Sequence, residues 1–448
     1  METGMGAQGL TTTIERLTGR RVWDSRGRPT VEAEVVLACG ARGRAIAPAG
    51  ASRGSHEAID LRDGGKVLGG LGVGRAVANV NGEIAAALRG MDAQDQTGID
   101  SALMALDGTP NLARLGGNAT IAVSMAVLHA AASAAGDPLW RYLAAGAPVR
   151  LPLPEIQIFG GGAHAGRRID IQDLMVMPLG AGSFDEALEM VAEVYRTAGE
   201  IMARRGHRSG VADEGGWWPD FASNEEALET LARAIEVAGY RAPSEMAISL
   251  DIAASEFGSR GRYRLGLEGR ELGREEWLDL LCGWVRRYPI VSVEDPVGED
   301  DPEGMRAFTA EVGDRIQVIG DDFLVTSAER VRSASKAGSC NAVLLKPNQA
   351  GTVTETRRAL DAAREAGWGT VVSARSGESE DVTVVHLAVG WNVGQLKVGS
   401  FARSERMAKW NEALRIEAEL GAGARFAGRD ALPVGVGVAM TAARDTLE

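Results

Sequence analysis

The sequence is poor in cysteine and has no excess of positive charge. Its 448 residues include only three cysteines, Cys39, Cys282 and Cys340, whose spacing matches neither a disulfide framework nor a zinc site. The formal net charge of −13 would repel a phosphate backbone, so no nucleic acid is expected as a partner. A small anion remains an acceptable ligand, because lysine, arginine and a bound metal can make a local positive pocket.

Signal-like and long apolar segments are also missing from the sequence. The first residues, METGMGAQGL, lack the basic start and apolar core of a signal peptide. No run of about 18 apolar residues is found that would cross a bilayer. With 45% hydrophobic and 24% charged residues, the composition is that of a globular protein. We therefore expect a cytoplasmic protein of two domains with no membrane partner.

A regular pattern of short apolar runs begins near residue 150, and each run ends on a polar residue. The residues at these ends are Asp251, Glu294, Asp321, Lys346, Ser373 and Lys397. Their spacings of 43, 27, 25, 27 and 24 residues suit a repeated strand, loop and helix after the longer first interval. Between them, Ser183, Ser223 and Thr352 each stand three residues before a glutamate, as in a helix capping box. The alternation predicts a parallel sheet, and the number of units favours a closed barrel.

The first 150 residues have a different pattern. The stretch VEAEVVLACGARGRAIAP predicts an antiparallel hairpin, and the alanine-rich segment from Ile121 to Ala135 predicts a helix. We therefore expect an α+β domain at residues 1–150 and a barrel domain at residues 151–448.

Three of the strand ends are carboxylates. In a barrel the carboxyl ends of the strands converge on one face, so Asp251, Glu294 and Asp321 are expected to lie close together. Oxygen ligands without histidine or cysteine suit a hard cation such as Mg²⁺. The alternative is that these carboxylates form salt bridges with neighbouring barrel lysines.

Two lysines end strands beside this carboxylate set. A divalent ion and a second ammonium would disfavour protonation of Lys346 or Lys397 and leave an amine able to act as a base. Lys346 is the better candidate because its run, AVLLKPNQ, is the clearest strand end. The alternative role for either lysine is to bind an anionic substrate.

Two glycine-containing segments offer further groups. GVADEGGWWPD holds Glu214 on a tight turn, where a carboxylate can serve as a general acid. SARSGES places Arg375 and Ser376 beside a glycine, and a guanidinium with a hydroxyl and free amides can bind phosphate. An ordinary solvated turn is the alternative for the first segment.

The chain resembles the enolase family over almost its whole length. The blocks that carry the resemblance are AGASRGSHEA at Ala49, GGAHAG at Gly161, DEGG at Asp213, LDIAASEF at Leu250, VEDP at Val293, GDD at Gly320, LLKPNQAGT at Leu344, SARSGESED at Ser373 and QLKVGSFARSER at Gln395. The resemblance implies an α/β fold in which an N-terminal α+β capping domain precedes an enolase-type α/β (TIM-like) barrel. It also implies a homodimer or higher homo-oligomer and the reversible dehydration of 2-phosphoglycerate, a small phosphorylated carboxylate, to phosphoenolpyruvate.

The resemblance also implies a role for each matched residue. Asp251, Glu294 and Asp321 match magnesium ligands, Lys346 matches the proton-abstracting base, and Glu214 matches the acid that assists loss of the hydroxyl. The positions that match substrate-binding residues are His164, Asp173, Arg375, Ser376, Lys397 and Ser52, the last on a loop that closes over the substrate in the family.

Several positions depart from the family pattern. Asp173 stands where a glutamate is usual, and Ala374 stands where a histidine is usual. The closing loop has Ala49 in place of serine and Arg53 in place of threonine, and Arg168 follows another arginine near the substrate segment. Added guanidinium groups suit a larger or more anionic substrate, and solvated surface arginines are the alternative.

Three functions are therefore open at the level of sequence. The first is an enolase, which dehydrates 2-phosphoglycerate. The second is a diverged relative acting on another phosphorylated three-carbon acid, similar to the carboxyphosphonoenolpyruvate synthases, and Asp173, Ala374 and Arg53 favour it. The third is a structural or binding component that retains only the fold, against which the intact base, acid and metal ligands argue.

Overall fold

In a computed structural model of the chain, residues 11–433 and residue 436 are described. The strands are β1 (Ile14–Trp23), β2 (Pro29–Leu37), β3 (Arg42–Ile46), β4 (Leu153–Gly160), β5 (Asp173–Met177), β6 (Ala247–Asp251), β7 (Gly258–Ser259), β8 (Arg262–Leu265), β9 (Arg270–Gly273), β10 (Ile290–Glu294), β11 (Gln317–Gly320), β12 (Ala342–Leu345), β13 (Gly369–Ser373) and β14 (Gln395–Ser400). The α-helices are α1 (Gly74–Asn79), α2 (Ala85–Leu88), α3 (Gln96–Asp107), α4 (Gly117–Ala135), α5 (Leu139–Ala144), α6 (Phe184–Arg204), α7 (Asn224–Val237), α8 (Arg274–Arg287), α9 (Pro302–Val312), α10 (Ala328–Ala337), α11 (Pro347–Ala350), α12 (Val353–Glu365), α13 (Thr383–Gly390) and α14 (Ser404–Leu420).

The N-terminal sheet consists of β1, β2 and β3 in that order, with antiparallel neighbours. The predicted hairpin is confirmed as β2 and β3. Helix α4 lies directly on this sheet, so closely that a Cβ atom at Gly43 would stand 2.1 Å from the carbonyl oxygen of Ala126. Strand β3 leads into residues 49–58, which we call the closing loop.

Helix α4 confirms the helix predicted for Ile121–Ala135 and begins four residues earlier, at Gly117. By length and composition it is apolar enough to cross a membrane, which corrects the expectation that no such segment exists. Most of it is buried inside the protein, as in the core helix of a soluble domain. Its Thr120 hydroxyl donates to the carbonyl of Gly351 at 2.8 Å and so ties the helix to the barrel.

Eight strands form a closed barrel in the order β4, β5, β6, β10, β11, β12, β13, β14. Six of its eight strand pairs are parallel, which confirms the predicted parallel sheet for the strands whose runs were recognised, β6 and β10 to β14. Strand β5 was not recognised from the sequence and is antiparallel to both neighbours. The link from Gly160 to Asp173 contains only one short 3₁₀ turn. A parallel connection has to carry the chain back to the other end of the barrel, usually through a helix, and this link without a helix instead returns the chain in the opposite direction.

The strand ends lie close to their predicted positions, with one exception. Asp251 and Glu294 end their strands, while Asp321 and Lys346 directly follow theirs. Lys397 does not end β14 as predicted, because the strand continues past an irregularity in its pairing with β4 and stops at Ser400. The long first interval between strand ends is explained by the separate sheet of β7, β8 and β9, which is inserted between β6 and α8.

The predicted helix starts at Ser183, Ser223 and Thr352 are confirmed. Each hydroxyl accepts a hydrogen bond from the backbone N–H three residues further on. Such bonds satisfy donors that the first helical turn leaves unpaired. In a capping box the glutamate side chain also accepts a hydrogen bond from the N–H of the capping residue. In α6 and α7, Glu186 and Glu226 instead accept from the N–H of the residue before the capping serine.

The boundary predicted between residues 150 and 151 falls in a segment without regular secondary structure. Helix α5 ends at Ala144, and β4 begins at Leu153. The outer ends of the predicted domains, 1–10 and 437–448, lie outside the described residues, and the domain limits stay predictions.

Candidate active site

A small cleft of about 20 Å³ lies among the residues at the carboxyl ends of the barrel strands. Nine of the eleven predicted site residues line it, and the other two, Glu294 and Asp321, accept hydrogen bonds from lysines that line it. A larger open groove lies against β7, β8 and β9 and is lined by exposed arginines such as Arg262 and Arg264. The acid–base groups therefore converge in the smaller cleft.

Lys397 links two of the predicted metal ligands. Its Nζ donates to Asp251 Oδ2 and to Glu294 Oε2, each at 2.8 Å, and all three side chains are buried. Burial alone would lower the pKa of Lys397, but the carboxylates of Asp251 and Glu294 raise it well above the usual value. Lys397 is therefore a fixed cation, and the alternative of a carboxylate–lysine salt bridge is realised at these two ligands.

Lys346 is held in a similar way by the third predicted ligand. Its Nζ donates to Asp321 Oδ2, and its backbone N–H donates to the Thr326 hydroxyl at 2.9 Å. Burial, Arg375 and Lys397 act to lower the pKa of Lys346, but Asp321 outweighs them and raises it. Asp321 thus stabilises the ammonium form of Lys346 by accepting its hydrogen bond, and the neutral amine that the sequence predicts beside a divalent ion stays a prediction.

His164 connects several groups at another wall of the cleft. Its Nδ1 lies 3.0 Å from Asp173 Oδ1, while its Nε2 lies 3.1 Å from Ser376 Oγ and 3.5 Å from Glu214 Oε1. Burial would lower the pKa of His164, but the two carboxylates raise it to about 9. The ring is therefore an imidazolium at neutral pH and can attract an anion.

Asp173 is occupied by its neighbours. Its Oδ1 accepts hydrogen bonds from Gln157 and His164, and its Oδ2 lies 3.6 Å from Lys397 Nζ. Burial would raise the pKa of Asp173, but these positive partners lower it. The side chain is ionised, so it cannot donate a proton and instead fixes two cations beside the cleft.

Arg375 is clamped by the closing loop. Its Nη1 and Nη2 donate to Glu57 at 3.0 and 3.1 Å, and Nη2 also donates to the carbonyl oxygen of Ser52 at 2.9 Å. The Ala51 N–H donates to Ser376 Oγ at 3.2 Å. Burial would lower the pKa of Arg375, but Glu57 raises it. These contacts bring the loop over the cleft.

Three residues of this region were not assigned roles from the sequence. Gln172 donates to Asp251 Oδ2 at 3.2 Å, and Glu57 pairs with Arg375. Asp295 Oδ1 accepts a hydrogen bond from the backbone N–H of Asp321 at 2.9 Å, and this bond orients the turn after β11. All three are polar residues that lie in family-like blocks or beside assigned residues, and this could have marked them as candidates for the site. Their contacts could not be inferred in the same way, because the partner residues are distant in sequence.

Acidic groups are positioned for a divalent metal. Within the described part of the chain, two sets of side chains each bring ligand atoms within 4.8 Å of one another, namely His164, Asp173 and Glu214, and Asp295, Asp321 and Asp322. Of the three predicted ligands, only Asp321 belongs to either set. Glu294 Oε1 is buried and has no hydrogen-bond partner among the described residues. An unpaired carboxylate oxygen in an all-oxygen donor set with Asp251 and Asp321 fits a hard cation.

Both parts of the chain match known family models. Residues 14–143 match the enolase N-terminal domain, and residues 148–434 match the enolase C-terminal TIM barrel domain. The resemblance and the α/β fold class, an N-terminal α+β domain followed by a barrel, are thereby confirmed. With an eight-stranded barrel whose mouth carries these lysines and carboxylates, the chain belongs to the enolase family, a family of lyases.

Proposed function

We propose that the protein is an enolase, which reversibly dehydrates 2-phosphoglycerate to phosphoenolpyruvate. Lys346 removes the proton next to the carboxylate, and Glu214 assists departure of the hydroxyl. The observation that carries the proposal is the placement of Lys346 and the His164–Glu214 pair on one small cleft. Lys346 follows β12, which is four strands from β5 in the ring of eight, and His164 lies in the link that enters β5. Base and acid thus approach the substrate from opposite sides.

The charges around the cleft suit the intermediate of this reaction. A proton next to a carboxylate is weakly acidic, so the enolate needs strong electrostatic stabilisation. Lys397, Arg375 and the imidazolium of His164 supply buried positive charge. Enolase-superfamily sites typically combine a lysine or histidine base with one or two Mg²⁺ ions.

Asp251, Glu294 and Asp321 would hold the Mg²⁺ ion, whose charge stabilises the enolate when it is bound. Lys346 can accept a proton only when Asp321 no longer accepts a hydrogen bond from its ammonium group. A cation held by Asp321 would compete with that interaction, and the positive neighbours Arg375 and Lys397 would then favour the neutral amine. The closing loop, held through Glu57, excludes water from the reacting groups.

The test is formation of phosphoenolpyruvate from 2-phosphoglycerate, followed by ultraviolet absorbance with and without Mg²⁺. The wild type is expected to turn over only with the metal, and Lys346→Ala is expected to lose turnover and exchange of the α-proton with deuterated water. Lys336→Ala, a change at an exposed lysine of α10, is the matched control. Exchange that persists in Lys346→Ala would refute the choice of base.

A second candidate is a diverged family member that performs the same proton abstraction on another phosphorylated three-carbon acid, similar to the carboxyphosphonoenolpyruvate synthases. The contacts of Asp173 and the small side chain of Ala374 at the cleft wall favour it. Proton exchange without formation of phosphoenolpyruvate would select this candidate. The cytoplasmic location and the homo-oligomeric state stay predictions of the sequence.

A further inference from the structure

We propose that Arg406 acts as a positioning residue that, together with Lys409, fixes the backbone of the segment 375–379 for binding the anionic group of the substrate. The inference rests on the proposed function insofar as Arg375 and Ser376 are taken to bind a phosphate. Neither Arg406 nor Lys409 lines the cleft, so any effect they have on binding is indirect.

Arg406 lies in the first turn of α14, and none of its surface is exposed. Its Nη1 donates to the carbonyl oxygens of Arg375 at 2.6 Å and Val398 at 2.9 Å, and its Nη2 donates to that of Ser376 at 2.5 Å. One rigid guanidinium therefore holds two consecutive carbonyls of the anion-binding segment and one of β14. A flexible ammonium cannot reproduce this planar arrangement of donors.

The orientation of these carbonyls determines where the amide groups point. In a trans peptide the C=O and N–H groups point in opposite directions, so the N–H groups of Ser376 and Gly377 face away from Arg406. The Gly377 N–H accordingly donates to the Ala49 carbonyl of the closing loop at 2.9 Å. Arg406 thus directs both N–H groups towards the side on which the loop closes, where the Gly377 N–H binds the loop and the Ser376 N–H can receive an anion.

Lys409 secures the other end of the segment. It is fully buried, and its Nζ donates to the Ser379 carbonyl at 2.8 Å and lies 3.0 Å from Glu378 Oε2. The other carboxylate oxygen of Glu378, Oε1, accepts a hydrogen bond from the backbone N–H of Arg375 at 2.9 Å. The segment is therefore fixed at both ends by cations one helical turn apart on α14.

Among the described residues, the charge of Arg406 is offset by an ion pair with one neighbouring carboxylate. Its nearest acidic partner is Glu405, at 3.6 Å, and its Nε has no hydrogen-bond partner among the described residues. Burying a guanidinium costs free energy unless its N–H groups form well-oriented hydrogen bonds. Here the guanidinium donates to the carbonyl groups of two peptides whose N–H groups lie on the side of the closing loop.

The test compares Arg406→Lys and Arg406→Gln with Arg415→Gln, a change at an exposed arginine of the same helix. Steady-state kinetics with 2-phosphoglycerate and calorimetric binding of inorganic phosphate are measured, and thermal unfolding verifies that each variant is folded. Both Arg406 variants are expected to raise KM and the phosphate Kd by about 10-fold or more, with a smaller change in kcat, because the anion is bound in ground and transition states alike. Added guanidinium ion is expected to restore part of the phosphate affinity of Arg406→Gln and to leave Arg415→Gln unchanged.

Unchanged KM and phosphate affinity in a folded Arg406→Lys variant would overturn the inference, even if Arg406→Gln does not fold. A wild type that binds no phosphate would overturn it too, because there would be no anion site to position. A wild type that binds phosphate but forms no phosphoenolpyruvate would refute the proposed function alone. Loss of phosphate binding in Arg406→Lys would then still support the positioning role.

Discussion

Glu57 and Arg375 form a two-point ion pair between the closing loop and the barrel, with N···O distances of 3.0 and 3.1 Å. Both side chains are almost completely buried, and 318 residues of chain separate them. A bidentate carboxylate–guanidinium pair fixes orientation as well as distance. The position of the predicted phosphate-binding arginine therefore depends on whether the N-terminal loop is closed.

Replacing Glu57 by glutamine is expected to weaken both the closed loop and substrate binding. The amide places an N–H group against guanidinium donors, and breaking a buried ion pair costs roughly 3–5 kcal/mol. We expect Glu57→Gln to lower kcat/KM for 2-phosphoglycerate by about 100-fold, mainly through KM. Steady-state kinetics would measure this, with Glu380→Gln, at an exposed position of the Ser373 block, as control. An unchanged KM would contradict the role of the pair.

His164 is expected to make stability depend on pH in the alkaline range. Its pKa is about 9 in the folded protein against an ordinary value of 6.5, so its stabilising contribution is complete below the lower value and is lost as pH rises through the higher one. The difference in unfolding free energy between wild type and His164→Asn should shrink by about 3 kcal/mol between neutral pH and pH about 10. Denaturant unfolding at several pH values measures it.

The matched control for this experiment is His207→Asn, since His207 is substantially exposed. Its difference from the wild type should not show the same decline. If the His164→Asn difference stays constant through pH 9, the imidazolium assigned to His164 is wrong.

Metal binding is expected to depend on Glu294, whose Oε1 has no hydrogen-bond partner among the described residues. Glu294→Gln removes a charged ligand, and Mg²⁺ affinity should fall by about 10-fold or more. Calorimetric titration with Mg²⁺ tests this, and Glu303→Gln, at an exposed position of α9, is the control. Chelation of the metal should abolish turnover, and added Mg²⁺ should restore it. Equal affinities in wild type and Glu294→Gln would exclude this carboxylate as a ligand.

Restoring the usual family residues distinguishes the two candidate reactions. The double variant Asp173→Glu, Ala374→His places a longer carboxylate and an imidazole at the cleft wall. If the protein is an enolase that tolerates its substitutions, kcat/KM for 2-phosphoglycerate should rise by about 10-fold or more in the ultraviolet assay. A decrease, with exchange of the α-proton retained in the wild type, would favour the diverged reaction.

The elements predicted well from the sequence are those defined by local patterns. Apolar runs identified six of the eight barrel strands, all but β4 and β5, and placed Asp251, Glu294, Asp321 and Lys346 at or directly after their ends, because each signal lies within a few residues. The antiparallel direction of β5 was not predicted. A short run of buried residues carries no mark of strand direction, which the length and packing of the connections decide.

The contacts of the site depended on tertiary structure. The family blocks contained Arg375, Lys397 and His164, but nothing local indicates that Lys397 bridges Asp251 and Glu294, or that Glu57 would clamp Arg375. The raised pKa of His164 likewise results from Glu214 and Asp173 in a buried site.

The sequence by itself determined which chemical groups are present, the family, and most of the strands and helices that carry them, since side-chain type and hydrophobic period are local properties. Only the tertiary structure decided which lysine neutralises which carboxylate and which loop holds the arginine. Electrostatic energies and pKa values depend on distances between groups and on their removal from water, and both are set when distant segments pack together.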